Sequence, residues 1–295
     1  MSGLMFRVLV LCSVFLVLAP SGLLKGQEQP YFVAYSHHME EPGSLELEMK
    51  TASGHPRGGN VYYGTSIELE YGTRAWWTSE LYLDSQSTLD QSTLFTGFRL
   101  ENRFRPLLRE YVINPVIYAE FEDINGANKS LLEIVGHDGR SDLIENNRTA
   151  RLEKKREVEL KLILSSNAWG WNFSENIIGE KNLAHAPWEF GYALATSRPL
   201  RLKASVGECR LCAENVQVGA EMYGGLGDVD SLGLHNTSHY FAPTVNWAIP
   251  YGPTFSFSPG FGLNDYSLKH VFRLGVSYEL GQVARLLRTP QRIVR

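Results

Sequence analysis

The sequence predicts an all-β protein: a single antiparallel transmembrane β-barrel of about 12 strands, in a range of roughly 10 to 14, after a cleaved signal peptide. Three observations predict this fold. Apolar residues recur at every second position along most of the chain. Many of the alternating runs are about as long as the ~9–11 residues that a tilted membrane strand needs. Aromatic residues gather toward the ends of these runs.

The N-terminus has the pattern of a secretory signal. A short start with one positive charge precedes the apolar run VLVLCSVFLVLAP at 8–20, and small and polar residues follow it. This run is shorter than the ~20 residues of a transmembrane helix. We therefore predict a signal peptide over residues 1–26, a barrel over 27–280 and a basic tail over 281–295.

The composition excludes several classes of protein. The chain has 295 residues, 43% of them hydrophobic, and a formal net charge of -4. The apolar content is too high for a disordered chain. A nucleic-acid binder usually has a basic excess, which is absent here, so nucleic acid is not an expected partner. Only one stretch is apolar enough to resemble a spanning helix, which argues against a helical transporter.

The alternation identifies the strands one by one. In 271–280, for example, Phe272, Leu274 and Val276 share one face, and Arg273 and Ser277 share the other. Such a period of two is typical of strands that have one apolar and one polar face. Turn residues separate the runs, and residues 124–155 are polar enough for a long exposed loop. The predicted spans are 31–39, 44–53, 60–71, 75–84, 93–105, 111–123, 156–165, 169–178, 187–196, 200–206, 214–223, 239–248, 254–262 and 269–280, of which one or two could be loops.

Two architectures can bury the apolar faces of so many strands. A soluble sandwich turns them inward, and a membrane barrel turns them toward lipid. Strands of soluble proteins usually have only ~5–6 residues. Rings at strand ends, such as Trp76, Trp77, Trp169, Trp171 and Trp188, suit the two membrane interfaces. Tight turns also alternate with long polar loops, as they do in barrels. These features favour the barrel.

The last two predicted strands carry a resemblance. The segment SPGFGLNDYSLKHVFRLGVSYEL at 258–280 is similar to the end of outer-membrane barrel proteins of Gram-negative bacteria, and loosely to the putative phenol-degradation (MetA-pathway) outer-membrane family. The resemblance implies location in the bacterial outer membrane, contact with its lipid, and recognition of the terminal strand by the barrel-insertion machinery. The chain departs from the usual pattern because a basic tail, rather than an aromatic end, follows Leu280.

In a barrel the polar faces of the strands would line a lumen. Charges of both signs occupy these faces, so they would pair or stay hydrated. We expect either a small-solute channel with acidic stretches or a charge network that stabilises a closed barrel. The candidate lumen-lining residues are Glu46, Glu48, Glu68, Glu70, Glu80, Arg99, Glu101, Arg103, Glu120, Glu122, Glu157, Glu159, Lys161, Arg201, Lys203, Arg273 and Glu279.

Other residues that could be reactive or bind a metal give weaker signals. Cys209 and Cys212 form a C-x-x-C pair, and in an exported protein we expect a local disulfide rather than a redox or zinc site. Adjacent residues of a strand point to opposite faces, so Ser238 and His239 cannot act together as nucleophile and base. We predict no catalytic residue, no metal site and no cofactor.

The first functional hypothesis is an outer-membrane barrel with a porin-like or transport role for an unknown small solute and without catalysis. Two alternatives remain open at this point. One is a secreted soluble β-sandwich that binds or hydrolyses carbohydrate. The other is an outer-membrane barrel enzyme that modifies lipid.

Overall fold

The computed structural model describes residues 30–130, 135–137, 140–184, 186–203, 209–281 and 283. The predicted signal peptide and almost all of the predicted tail lie outside these residues. No helix of the described chain is long and apolar enough to cross a membrane.

Twelve antiparallel strands form one closed barrel, as predicted. Each strand pairs with its neighbours in the sequence, and the first strand pairs with the last. The sheet therefore has no free edge. The strands are β1 (Leu45–Gly54), β2 (Tyr62–Arg74), β3 (Trp77–Thr88), β4 (Thr93–Phe104), β5 (Asn114–Asn125), β6 (Lys154–Ala168), β7 (Trp171–Asn182), β8 (Trp188–Pro199), β9 (Val216–Asp228), β10 (His239–Ala248), β11 (Thr254–Gly262) and β12 (His270–Leu280).

The two ends of the barrel differ in their connections. The start of β1 and the end of β12 lie at one end, which we call the terminal end; the opposite end is the loop end. A two-residue turn at the terminal end joins β6 to β7, and both of its residues, Trp169 and Gly170, have positive φ (53° and 78°). Such turns match the twist of the flanking strands. The longest connection, 126–153, is at the loop end, as predicted, and contains the short helices α1 (Arg140–Ile144) and α2 (Asn147–Ala150).

This long connection folds back over the loop end. The backbone N–H of Lys129 donates to the side chain of Gln86 at 3.1 Å, and the hydroxyl of Thr88 donates to Asn147 at 3.1 Å. Lys129 and Asn147 are buried although they belong to a loop. The connection 126–153 therefore covers part of the opening of the barrel.

Two of the fourteen predicted strands do not exist. Residues 31–39 are extended but pair with no strand, because they run through the interior of the barrel. Residues 200–203 follow the end of β8 without forming a strand, and 204–206 lie outside the described residues. Pro199 ends β8, and the connection 200–215 follows it.

The outer face of the barrel is apolar. Large side chains stand exposed in the middle of the strands, among them Ile67, Leu83 and Leu274. Aromatic side chains flank this band: Trp77, Phe104, Trp171, Trp247 and Phe255 at the terminal end, and Tyr63, Phe95, Trp188 and Phe261 at the loop end. An apolar band between two aromatic girdles is typical of membrane barrels. A soluble sandwich would bury these side chains, so the closed barrel overturns that alternative.

The apolar band makes a testable prediction about stability. Leu83→Arg places a charge on the outer face at the middle of β3, and we expect it to lower the free energy of unfolding by ~2–4 kcal/mol. Ser87→Arg, on the same face of the same strand but near its loop end, should cost only ~0–1 kcal/mol. Denaturant unfolding of the barrel in lipid vesicles, followed by tryptophan fluorescence, measures both. Equal costs for the two variants would contradict a membrane band centred on Leu83.

Candidate functional site

The inner face of the barrel is charged along β12 and β1–β8. All but two of the predicted lumen residues lie on strands and on the face that points into the lumen. The two exceptions are Arg201 and Lys203, which are exposed in the connection 200–215. They lie outside the lumen because β8 ends at Pro199 and no strand follows for the alternation to continue.

The strand register arranges the inward carboxylates into one continuous row. Each acidic residue of this row is the direct cross-strand partner of the next, from β12 through β1 to β9. Directly opposite side chains have Cβ atoms only ~4.5–5.5 Å apart, so like charges here repel unless cations compensate them. The row consists of Glu279, Glu46, Glu70, Glu80, Glu101, Glu120, Glu159, Glu180, Glu189 and Asp228.

Basic side chains from neighbouring rows provide part of this compensation. Arg103 is almost fully buried, and its guanidinium contacts Glu70, Glu80 at 3.6 Å and Glu101 at 2.8 Å. One arginine thus joins three adjacent strands, β2, β3 and β4. A planar guanidinium suits this role because its donors are arranged to match several carboxylates.

Arg99 joins β3 to β5 in the same manner. Its guanidinium bonds Asp84 at 2.8 Å and Glu120 at 3.0 Å, and it lies 3.9 Å from the ring centre of Tyr82. On β6, Lys161 pairs with Glu159 at 2.8 Å. This half of the lumen is therefore a network of buried ion pairs.

The opposite wall, formed by β8–β11, has several small inward side chains beside the stacked rings of Tyr223 and Tyr240. Ala193, Ala195 and Ala242 face the lumen there, and so does Ser258. They leave space beside the wall, and residues 30–44, which we call the inner segment, occupy it. Tyr31, Val33 and Ala34 of this segment pack against the alanines in a buried apolar cluster.

A single carboxylate, that of Glu221 on β9, holds the inner segment. Its Oε1 accepts the backbone N–H groups of Val33 and Ala34, each at 2.8 Å, and its Oε2 accepts that of Phe32 at 3.1 Å. Glu221 is itself buried. An extended segment without a strand partner needs other acceptors for its N–H groups, and Glu221 supplies them.

Amide side chains of the wall satisfy further backbone groups of the inner segment. Asn176 both accepts the N–H of Tyr35 at 2.6 Å and donates to its carbonyl at 2.9 Å. Asn246 donates to the carbonyl of Pro30 at 2.8 Å. The segment is thus bound by side chains, as a peptide ligand is.

Tyr35 connects the inner segment to the charged wall. Its hydroxyl donates to Glu101 at 2.9 Å and lies 3.0 Å from that of Tyr82. Its ring meets that of Tyr118 edge-on at 5.1 Å, and Lys161 lies 4.8 Å from its centre. The inner segment therefore contacts both walls and fills the lumen between them.

The inner segment reaches the terminal end of the barrel at His37, which is outside the membrane-spanning strands. The ring of His37 lies 2.8 Å from the hydroxyl of Ser165 and 2.6 Å from the carboxylate of Glu110. Burial, and after it the neighbouring His38, lowers the pKa of His37 from 6.5 to about 4, although Glu110 opposes the shift. His37 is therefore neutral at neutral pH.

The disulfide and the other residues singled out in the sequence lie away from the lumen. Cys209 and Cys212 are bonded within the connection 200–215, with their Cα atoms 5.5 Å apart. His239 contacts the hydroxyls of Tyr192 at 3.0 Å and Thr237 at 2.9 Å. Within the described ranges, no group of three or more His, Cys, Asp and Glu side chains could hold a metal ion.

Sequence analysis missed several functional residues. Lys50, Asp84 and Glu189 lie inside the predicted spans 44–53, 75–84 and 187–196 at inward positions, so the same alternation could have identified them. Glu180 lies two residues beyond the predicted span 169–178, because β7 continues to Asn182. Glu221 is the most important omission. Its signal is a lone acidic residue at an inward position among glycine, alanine and valine in VQVGAEMYGG, where small neighbours leave room for a bound segment.

Similarity to known proteins is found among solved structures. No protein-family model and no curated protein sequence matches the chain. The KdgM porin in complex with disordered oligogalacturonate is 8% identical (TM-score 0.47, covering 80% of this chain and 98% of that one). An outer-membrane channel from Pseudomonas putida F1 is 12% identical (TM-score 0.49, 88% and 99%). LpxR from Salmonella typhimurium is 9% identical (TM-score 0.41, 79% and 99%). The resemblance to the phenol-degradation family stays a prediction.

The buried histidine predicts a pH dependence of the inner segment. A docked pKa near 4 and an undocked pKa near 6.5 mean that the undocked segment binds more protons between these values. Docking is then fully favoured above pH 6.5 and weakens as the pH falls toward 4. At pH 5 we expect a loss on the order of 1 kcal/mol, because solvent near Glu110 screens part of the effect.

Hydrogen–deuterium exchange of residues 30–44 at pH 7 and pH 5, corrected for the intrinsic rate, measures this loss. His37→Gln keeps a neutral polar side chain and should remove the pH dependence, whereas His38→Gln should retain it. Unchanged protection of the wild-type segment at pH 5 would refute the role of His37.

Proposed function

We propose that this chain is a porin-like channel of the bacterial outer membrane that passes small solutes, that the inner segment limits its conductance, and that it catalyses no reaction. The observation that carries the proposal is the way the lumen is filled. Its occupant is a peptide segment whose residues 30–39 are bound by side chains such as those of Glu221, Asn176 and Asn246 and pair with no strand. Gly43 and Ser44, next to the start of β1, exchange backbone hydrogen bonds with Gly72 of β2. Water and solute can replace the side-chain hydrogen bonds of residues 30–39 without opening the barrel.

The rest of the structure supports this function. The apolar outer band would contact outer-membrane lipid, and the regular terminal strand β12 would serve as the recognition signal for the barrel-insertion machinery. A lumen lined with carboxylates and ion pairs remains polar once the segment leaves, which suits water and polar solutes.

Ser238 and His239 do not form the nucleophile–base pair that the lipid-enzyme alternative would need. Ser238 precedes β10 and is buried, whereas His239 is the first residue of β10 and lies on its outer side. The ring nitrogens of His239 are occupied by Tyr192 and Thr237, neither of which can orient a base as a carboxylate does.

Removal of the Glu221 carboxylate tests the channel. Glu221→Ala deletes three charge-assisted hydrogen bonds, each worth ~1.5–3 kcal/mol, so the undocked fraction should rise at least roughly tenfold. We expect single-channel recordings in planar bilayers to show rare, brief openings of the wild type and a corresponding rise in open probability for the variant. Glu175→Ala, which removes an exposed carboxylate from the outer face of β7, is the matched control and should behave as the wild type.

Deletion of residues 30–44 completes the test and should give a continuously open channel. Silence of this deletion variant in repeated reconstitutions, with its heat-dependent gel shift intact, would refute the channel. Equal open probabilities for the wild type and Glu221→Ala would leave a channel but refute control by the inner segment.

A further inference from the structure

A cavity of about 130 Å³ remains in the lumen beside the inner segment. Phe32 and Val33 of the segment line one side, and inward side chains of the charged wall line the other. A water needs only ~10–15 Å³ of such volume, so the cavity has room for several water-sized groups. It can therefore hold a small molecule.

Not every acidic side chain around this cavity is paired with a basic one. Three of its basic side chains each bind an acidic side chain that also lines the cavity, and a fourth, Arg273, donates to the hydroxyl of Tyr223 at 2.5 Å. The three pairs are Lys50 with Glu68 at 2.7 Å, Arg99 with Asp84 at 2.8 Å, and Lys161 with Glu159 at 2.8 Å.

Two cavity-lining carboxylates, Glu122 and Glu180, are left over from this pairing. Glu122 is only 5% exposed and Glu180 is half-buried, and neither has a hydrogen bond or an ion pair with any described residue. Arg99 attracts Glu122 but is hydrogen-bonded to Asp84 and Glu120 instead. They stand on β5 and β7, on either side of β6, where the register places them opposite Glu157 and Glu159. Two strand spacings and an offset of two residues along β6 separate their backbones by roughly 12 Å, which their long side chains can narrow.

A charged carboxylate as buried as that of Glu122 is costly without a hydrogen-bonded cation, and a cationic ligand would remove that cost. The described carboxylates form no group that could hold a metal ion. Phe32 and Val33, in contrast, offer apolar surface to the same cavity. A ligand that has an ammonium group and a short hydrocarbon part matches both sides.

We propose that this cavity is a binding site for a small organic ammonium ion, with Glu122 and Glu180 as its counter-charges. This inference rests on the proposed channel function and names the class of solute, an organic cation, that the channel would select. The ammonium would donate to the two carboxylates while its alkyl group contacts Phe32 and Val33.

Calorimetric titration of the full-length protein in detergent at pH 7.5 with ethylammonium chloride tests the site. We expect saturable binding to the wild type, affinity at least roughly tenfold weaker for Glu122→Gln, and loss of binding for the double variant Glu122→Gln/Glu180→Gln. Glu175→Gln, on the lipid-facing side of β7, is the matched control and should bind as the wild type does. The heat-dependent gel shift of each variant verifies that its barrel is folded.

Sodium chloride and sodium acetate are the comparison titrants. Binding of sodium as tight as that of ethylammonium would overturn the organic class, and preferential binding of acetate would overturn the sign of the charge. If ethylammonium does not bind to the folded wild type, the proposal is also overturned. Glu122 would then be protonated and would not act as a counter-charge. Bilayer recordings of the same preparation distinguish the channel function from the ammonium site. Conductance without ethylammonium binding refutes only the site. Binding without conductance refutes only the channel.

Discussion

The pairing of β1 with β12 is the interaction on which the rest of the structure depends. It removes the last free edge of the sheet, so every strand acquires one face toward the outside and one toward a confined interior. The same register sets Glu46 opposite Glu279 and Glu70, which joins the acidic row across the closure. Closure of the barrel thus turns the apolar side chains toward the membrane. It also places the carboxylates next to one another on the inner face.

The confined interior has two different walls, one charged and one largely apolar, and the groups of both need partners. On the charged wall, Arg103 and Arg99 offset the repulsion between carboxylates by contacting several of them at once. On the opposite wall, small side chains such as Ala193 and Ala242 would leave an empty apolar space, and the inner segment fills it. Tyr35 of the segment donates a hydrogen bond to Glu101 on the charged wall. The segment therefore provides contacts to both walls.

The parts of this structure that were predictable from the sequence are those governed by local periodicity. The alternation in 254–262 matches β11 and that in 269–280 matches β12 to within one residue, because each position there faces either lipid or lumen. The pattern fails at 31–39, where the inner segment runs through the lumen and the N–H groups of its extended backbone bind Glu221 rather than a strand. Register is also absent from a single sequence, so neither the acidic row nor the position of Glu122 beside the cavity could be derived from it.

The inner segment can leave the lumen without a loss of barrel stability, because of the way it is bound. Withdrawal of a strand would break a complete ladder of backbone hydrogen bonds and open the sheet. Withdrawal of residues 30–44 breaks contacts with Glu221, Asn176 and Asn246, whose own strands stay paired on both sides. The energy of docking therefore resides in a few side chains that can change without loss of the fold. A closed barrel that contains such a segment has a stable wall and an independently adjustable interior, which is the physical requirement for a channel that opens and closes.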